Sequence, residues 1–362
     1  MTNPVKIFAL NLGSTSTKVA YFENGGFVLR QTLEHPAADL APFKRFWDQE
    51  DYRRRAIDAF MKDNGLDPAG MDAFVTWGGH TEPVEDGVYR ITPEFLEQSA
   101  SEKYGNHPGD LGPRLAFALA KANRAEAFTI DPPTIDEFEP SARYTGLPEI
   151  RRKSRMQSLN QKATARRFAR DSGKRYEDMN LIVIHMGGGF SVVVHKKGRM
   201  VDANNGLDGD GPMAPTRAGT LPAGDLIDLC YSGKYTREEM RKKITGLGGL
   251  AAYLGETDGR IIEKKIEAGD VQAKEVYDAM LYQLSKEIGA SAAVLCGDVD
   301  AVLFTGGLAN SGYVIDSIRK RVSFIAPVHV MAGELEMESL GLMGYAALTG
   351  NVPIKELSSR PQ

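Results

Sequence analysis

Three turns in this 362-residue chain share one design, an apolar run that ends on glycine: Leu12-Gly13-Ser14, Gly187-Gly188-Gly189 and Thr305-Gly306-Gly307. Such a turn lets backbone amides approach a ligand with no Cβ in the way. The first turn also carries four consecutive hydroxyl residues, Ser14, Thr15, Ser16 and Thr17, followed by Lys18. Amides and hydroxyls donate hydrogen bonds and an ammonium adds a point charge, a combination suited to phosphate oxygens. Taken alone, the stretch reads sooner as an ordinary Ser/Thr-rich hairpin turn. Three such turns, two of them in repeated halves, point to a nucleotide held between two domains.

The better-known phosphate motifs fail. Gly13 to Lys18 lacks the second Gly of a P-loop, and a strand rather than a helix is expected after it. Gly246 to Ala251 fits G-x-G-x-x-A, but a basic helical segment, Thr236 to Lys243, precedes it where a dinucleotide fold needs a strand. There is no His pair at zincin spacing and no G-x-S-x-G elbow.

The elements that must position these turns repeat. Apolar runs from Ile7, after Lys18 and over Phe27 to Gln31 read as three strands joined by tight turns, the second at Asn24-Gly25-Gly26. Leu181 to Met186, Phe190 to His195 and Arg199 to Ala203 give the same order, with Lys196-Lys197-Gly198 as the second turn. When the halves are superposed, Asn11 falls on His185 and Gly13 on Gly187, so an internal duplication is expected. Between them, Leu40 to Asn64 has helical spacing, Asp72 to Trp77 reads as a strand, Thr92 caps a helix, and Leu111 to Asn123 is another helix. Ala127 to Asp131 is a strand stopped by two prolines.

Arg151 to Arg175 holds ten Lys or Arg residues and one Asp. It reads as a basic helix with a solvated face, the rival being a docking surface for an anion. Asp202 to Thr220 is a long Gly/Pro/Asn-rich loop of the kind that carries function. Asp270 to Leu295 is a helix with Val276, Met280, Leu284 and Ile288 on its core face. Val299 to Phe304 and Val328 to Met331 are strands, a last helix ends near Thr349, and the tail beyond Pro353 is expected to be loose.

The net charge of −4 argues against a general nucleic-acid binder. No apolar run approaches the ~20 residues that span a bilayer, and Met1 to Pro4 show no secretory pattern. Cys230 and Cys296 lie in apolar surroundings without metal-ligand spacing, so buried thiols in a reducing cytoplasm are expected.

The turns and their order resemble the acetate and sugar kinase, heat-shock 70 and actin superfamily. Within it the chain is similar to the butyrate-kinase branch of the acetokinase family, from Ile7 to about Leu348. NLGSTSTK at 11 to 18, GLPEIRRKS at 146 to 154, LNQKATARR at 159 to 167, HMGGGFSV at 185 to 192 and DANNGLDGDGP at 202 to 212 carry the likeness. TRAGTLPAGDL at 216 to 226, SGKYTREEM at 232 to 240, GGLAAYLG at 248 to 255 and SFIAPV at 323 to 328 complete it.

The resemblance implies an α/β protein of two duplicated ribonuclease-H-like (actin-like ATPase) domains with a central cleft that closes to exclude water. An N-terminal domain over 1–150, completed by a C-terminal helix within 334–362, would take the acyl substrate and carry the first phosphate motif. A second domain over 151–333 would bind the nucleotide. The implied reaction is reversible transfer between ATP and a short-chain carboxylate, butyrate first among them, in a cytoplasmic homo-oligomer that is a dimer or larger. The alternatives are a kinase for another small or branched acid, or a non-catalytic nucleotide-binding module on the same fold.

A carboxylate is already ionised at neutral pH, so this chemistry needs positioning and charge rather than a general base. The likeness assigns Asn11, His185, Arg217 and Asp131 to catalysis. It gives Ser14, Ser16, Lys18, Gly187, Gly188, Gly189, Asn205, Gly306, Gly307 and Asn310 to the nucleotide. His107, Trp77, Gly78 and Gly79 fall on the acid's side. Mg²⁺ would be held by Asp131 and Glu336, with Asp136 and Glu334 as their rivals in register. There is one departure. Where butyrate kinases commonly show G-R-G-G this chain has Thr76-Trp77-Gly78-Gly79, and Phe74 fills the place of the acetate kinases' Arg. Trp77 would reshape the acid pocket or be a packed core indole; either another cation such as Arg90 or Lys103 reaches in, or the acid differs, or activity is weak.

Overall fold

The computed structural model describes residues 4–357. Two compact units appear, one built from the residues up to Asp136 together with those from Leu335 on, the other from Glu137–Glu334. Six strands precede the first boundary: β1 (Lys6–Leu12), β2 (Ser16–Glu23), β3 (Gly26–Glu34), β4 (Ala73–Thr76), β5 (Val88–Arg90) and β6 (Glu126–Ile130). The second unit holds β7 (Asn180–Met186), β8 (Phe190–Lys196), β9 (Arg199–Ala203), β10 (Ala301–Gly306) and β11 (Val328–Ala332), and β12 (Ile354–Lys355) follows it.

The first sheet runs β3-β2-β1-β4-β6-β5-β12 and the second β9-β8-β7-β10-β11. Five consecutive positions therefore correspond, an antiparallel meander followed by two strands parallel to its first. The duplication expected from the sequence extends to turn chemistry. Asn24-Gly25 and Lys197-Gly198 are both two-residue hairpin loops in which both residues have positive φ, 50° and 78° in one, 50° and 84° in the other. That is the turn whose twist matches the flanking strands.

Each unit has its own core. In the first, Phe8, Leu10 and Phe74 pack under the helices Glu50–Asp63 and Leu111–Asn123, the second of which contributes Leu115. The helix Glu336–Leu348 covers the same sheet, and Gly341 and Gly344 let its backbone approach. A Cβ on Gly341 would lie 2.2 Å from the Phe22 ring, and one on Gly344 2.9 Å from Val75. In the second unit Met280, Leu284 and Ile288 of the helix Val271–Val294 meet Ile184, Val192 and Phe304.

Four expectations need correction. Of the tail beyond Pro353, the described residues 354–357 are not loose: β12 pairs in parallel with β5, a three-residue strand too short to show in the sequence pattern, and the rest of the tail lies outside the described residues. The basic helix spans only Ser158–Asp171, and residues 158–165 are buried rather than solvated. Lys162 is fully buried because its ammonium meets the Glu137 carboxylate at 2.9 Å and donates to the Gly198 carbonyl at 2.8 Å. Residues 137–150, expected in the first domain, belong to the second unit. Glu137 accepts the Met200 N–H at 2.6 Å and Glu139 N–H bonds the Val201 carbonyl, which fastens this segment to β9. Both cysteines are exposed. Cys230 lies on the helix Ala223–Tyr231, which buries none of its residues, and Cys296 sits in a turn at φ 53°.

Candidate active site

In the first unit β1, β4 and β6 are parallel neighbours, so the sequence places Asn11, Trp77–Gly79 and Asp131 together at their carboxyl ends. That is where open α/β sheets bind ligands. Asn11 is buried, and its amide donates to the Glu336 carboxylate at 2.7 Å, bringing the first turn of the last helix to the end of β1. Beyond it Gly13 N–H closes on the Ser16 carbonyl at 2.9 Å, leaving Ser14 and Thr15 exposed and Ser16 and Lys18 half-buried.

The residues expected on the acid's side also assemble. Asp110, itself buried, accepts the N–H groups of Gly79 (2.9 Å), His80 (3.1 Å) and His107 (2.9 Å), and the His80 ring at 2.9 Å. One carboxylate thus fastens the Gly78-Gly79 turn to the His107 loop. Gly78 has φ 130° and a Cβ there would strike the Gly109 carbonyl at 2.1 Å, so the position requires glycine.

His107 accepts the Gly109 N–H on Nδ1 at 3.0 Å, which leaves the proton on Nε2. Burial holds its pKa below the usual histidine value, Asp110 opposing and His80 adding. Trp77 is half-buried, edge-on to the His107 ring with centroids 5.8 Å apart, and its indole N–H donates to the Asp131 carbonyl at 3.2 Å. Arg90 is engaged by Glu126 and Glu356, and Lys103 sits over the Tyr104 ring.

Asp131 and Glu336 offer hard carboxylate oxygens of the kind Mg²⁺ takes, one or two beside phosphates and waters. Asp131 is fully buried at φ 43°, with Oδ1 accepting the Gly87 N–H at 2.9 Å. Asp136 bonds the Val84 carbonyl through its backbone N–H, and Glu334 lies in the second unit.

The second unit builds the counterpart. His185, near the end of β7, receives the Asn160 amide on Nδ1 at 2.8 Å, so Nε2 keeps its proton and faces Gly187. Burial holds the ring's pKa below the ordinary value against the opposing charge of Glu334. A neutral N–H donor results. Arg217 lies against Gly189: a Cβ there would be 3.4 Å from its Nε. Its guanidinium donates to the Thr216 hydroxyl at 2.9 Å and to the Thr245 carbonyl, while Thr216 N–H and hydroxyl both bind the Gly188 carbonyl.

Gly248 and Gly249, part of the failed dinucleotide match, have a structural role here. A Cβ on Gly249 would lie 1.7 Å from the Ala214 carbonyl and 2.7 Å from that of Arg217, so only glycine lets this turn support the arginine loop. Asn205 is buried with its amide on Asp208 at 2.9 Å and its backbone N–H on Asp210 at 3.2 Å, ordering the loop after β9.

A cavity of about 840 Å³ in this unit is lined by Gly187, Gly188, Thr216, Gly307, Asn310 and Ser311, among others. It therefore gathers two of the three glycine turns on one surface. Gly306, at φ 89°, packs so closely on β7 that a Cβ would lie 2.5 Å from the Met186 carbonyl.

Sequence reasoning missed the supports: Arg53, His35, Asn160, Asp110 and Thr245. Arg53 had a readable sign, since residues 53, 57, 60 and 61 form the buried stripe of its helix. His35 bonds the Thr17 hydroxyl at 2.9 Å, and burial, with the Arg53 charge adding, lowers its pKa to about 4. The folded ring is thus neutral where the unfolded one, near pH 6.5, takes up a proton. Its contribution to stability should be complete above about pH 6.5 and be lost as pH falls toward 4, by up to about 3 kcal/mol. Urea unfolding of the wild type and of His35→Gln across that range checks this, because the variant should show a shallower loss.

Sheet order and meander define a pair of actin-like domains, and the comparisons agree. The model of the acetokinase family matches residues 152–337. A probable butyrate kinase of Bacteroides thetaiotaomicron is 45% identical over 352 residues, covering 97% of this chain and 99% of the relative. Butyrate kinase 2 of Clostridium acetobutylicum is 43% identical over 351 residues, covering 97% and 99%. The acetate kinase of Porphyromonas gingivalis superposes with a TM-score of 0.77 at 19% identity, over 95% of this chain and 99% of its own. The chain belongs to the acetokinase family.

Proposed function

We propose that the protein is a carboxylate kinase that transfers a phosphoryl group reversibly between ATP and a short-chain fatty acid, butyrate first among candidates. The observation that carries this reading is the cavity uniting Gly187-Gly188 with Gly307 and Asn310 beside Arg217's loop. Its size suits a nucleotide. The glycine turns would cradle phosphates through backbone N–H groups, with the adenosine on the Gly306–Asn310 side and Asn205 ordering the neighbouring loop.

His185, neutral with its proton on Nε2, would donate to a phosphoryl oxygen, and Arg217 would match the planar oxygens of carboxylate and phosphoryl with its fork. In the first unit Asn11, Ser14, Ser16 and Lys18 would take phosphoryl oxygens. The Nε2–H of His107, with Trp77, Gly78 and Gly79, would face the acid. Asp131 and Glu336 would hold Mg²⁺, which when bound neutralises phosphate charge. The acid arrives ionised, so no side chain need remove a proton.

Trp77 bears on the choice of acid, because a half-buried indole replaces a cation and narrows the space an acyl chain can enter. Among the described residues no helix is long and apolar enough to cross a membrane, and two exposed thiols suit a reducing cytoplasm. A homo-oligomer is supported by the helix Ala223–Tyr231, where Ile227 and Tyr231 are 57% and 88% exposed. The test is hydroxylamine trapping of acyl phosphate with ATP-Mg across straight and branched acids from two to six carbons. Turnover peaking at the shorter chains is expected. ATP binding with no turnover on any acid would overturn the enzyme reading.

A further inference from the structure

Among the described residues Arg53 is the largest fully buried side chain, and it lies outside the groups proposed to touch substrate. A buried guanidinium is costly without a partner. Its hydrogen-bond partners are neutral, and three of the four belong to one turn. Nη2 donates to the Ser14 carbonyl at 2.9 Å, and Nη1 to the Ser16 carbonyl at 3.0 Å and the Thr17 hydroxyl at 3.1 Å. Nε is anchored on its own helix by Gln49 at 3.0 Å.

We propose that Arg53 is a positioning residue for phosphoryl binding, fixing the Ser14–Thr17 turn from beneath so that its N–H and hydroxyl groups face the transferring group. The proposal rests on the reading of that turn as phosphoryl-binding. In a planar trans peptide the carbonyl and the next N–H point opposite ways. Drawing the Ser14 carbonyl inward therefore aims the Thr15 N–H outward. The Ser16 carbonyl is held twice, by Arg53 and by Gly13 N–H at 2.9 Å, which closes the turn. His35 completes the support, with N–H on the Thr15 carbonyl at 2.8 Å and its ring on Thr17. The guanidinium also places a positive charge under the turn, where low dielectric strengthens its pull on an anion. Lysine cannot reproduce the fork, because one ammonium cannot span both carbonyls in a fixed plane.

The experiment compares Arg53→Lys, Gln49→Ala and Ser16→Ala in the full-length enzyme, reading kcat, the KM of each substrate and Tm. Arg53→Lys should lose about 10- to 100-fold in kcat, since a misplaced turn acts on the transition state, with each KM within about threefold. Gln49→Ala, which loosens the same fork, should lose about threefold and provides the result if Arg53→Lys does not fold. A lowered Tm with unchanged kcat in both variants, while Ser16→Ala impairs turnover, would overturn the role of Arg53. Full activity in Ser16→Ala would instead remove the phosphoryl reading of the turn itself.

Discussion

Arg217→Ala should lower kcat for acyl-phosphate formation by about 100-fold or more while nucleotide affinity changes little. Losing a charged donor to a transferring group costs about 3 kcal/mol, which is about that factor in rate. The side chain is well placed for so specific a loss. Thr216 and the Thr245 carbonyl hold the guanidinium over Gly189, and the loop beneath it rests on the Gly248-Gly249 turn. The side chain is half-buried and stands outside the core clusters, so Tm should move little. Arg217→Lys should fail to recover the loss, because a single ammonium cannot match two planar oxygens. Hydroxamate trapping measures kcat, and titration with ATP measures affinity. Turnover intact in Arg217→Ala would remove the residue from the mechanism.

The largest effect on stability should come from Lys162→Met, which strands the Glu137 carboxylate in the second unit. Both side chains are essentially without solvent access, and Glu137 also fixes the Met200 N–H. Breaking a buried pair from one side costs about 3–5 kcal/mol, whereas replacing both partners with apolar groups is often near neutral. Lys162→Met with Glu137→Leu should therefore recover most of the loss, although the Met200 N–H then lacks its acceptor. Both tryptophans, Trp47 and Trp77, lie in the first unit. Far-UV circular dichroism should shift in the single variant while the tryptophan transition stays near its wild-type midpoint.

The parts of the fold that could be read from sequence are those that local chemistry determines. Asn24-Gly25 announces a hairpin, Thr92 before Pro93 caps a helix, and the apolar runs of β1 and β7 each end on a glycine turn. What stayed hidden depends on partners distant in the chain. Lys162 looks like one more surface cation until Glu137 arrives, and β5 becomes a strand because β6 and β12 flank it. The same divide runs through the site. Its donors stand in motifs, but Arg53 is one of three consecutive arginines, and only the register of its helix singles it out. Asn160 lies in a stretch that looked basic and solvated, and its use is clear only once it meets His185 and Thr305.

The first unit is discontinuous, and this has a consequence for synthesis. A ribosome finishes residues 137–334 before it makes the helix Glu336–Leu348 and β12, so the later unit has all its parts first. The amino-terminal sheet must wait with one face uncovered and its β5 edge open until the helix Glu336–Leu348 and β12 emerge. Glu336 arrives with that helix, so Asn11 meets its carboxylate only after the whole second unit has been made. A nascent chain halted before Glu336 would thus hold the whole second unit yet lack a residue proposed for the metal, which defers turnover until that helix is made.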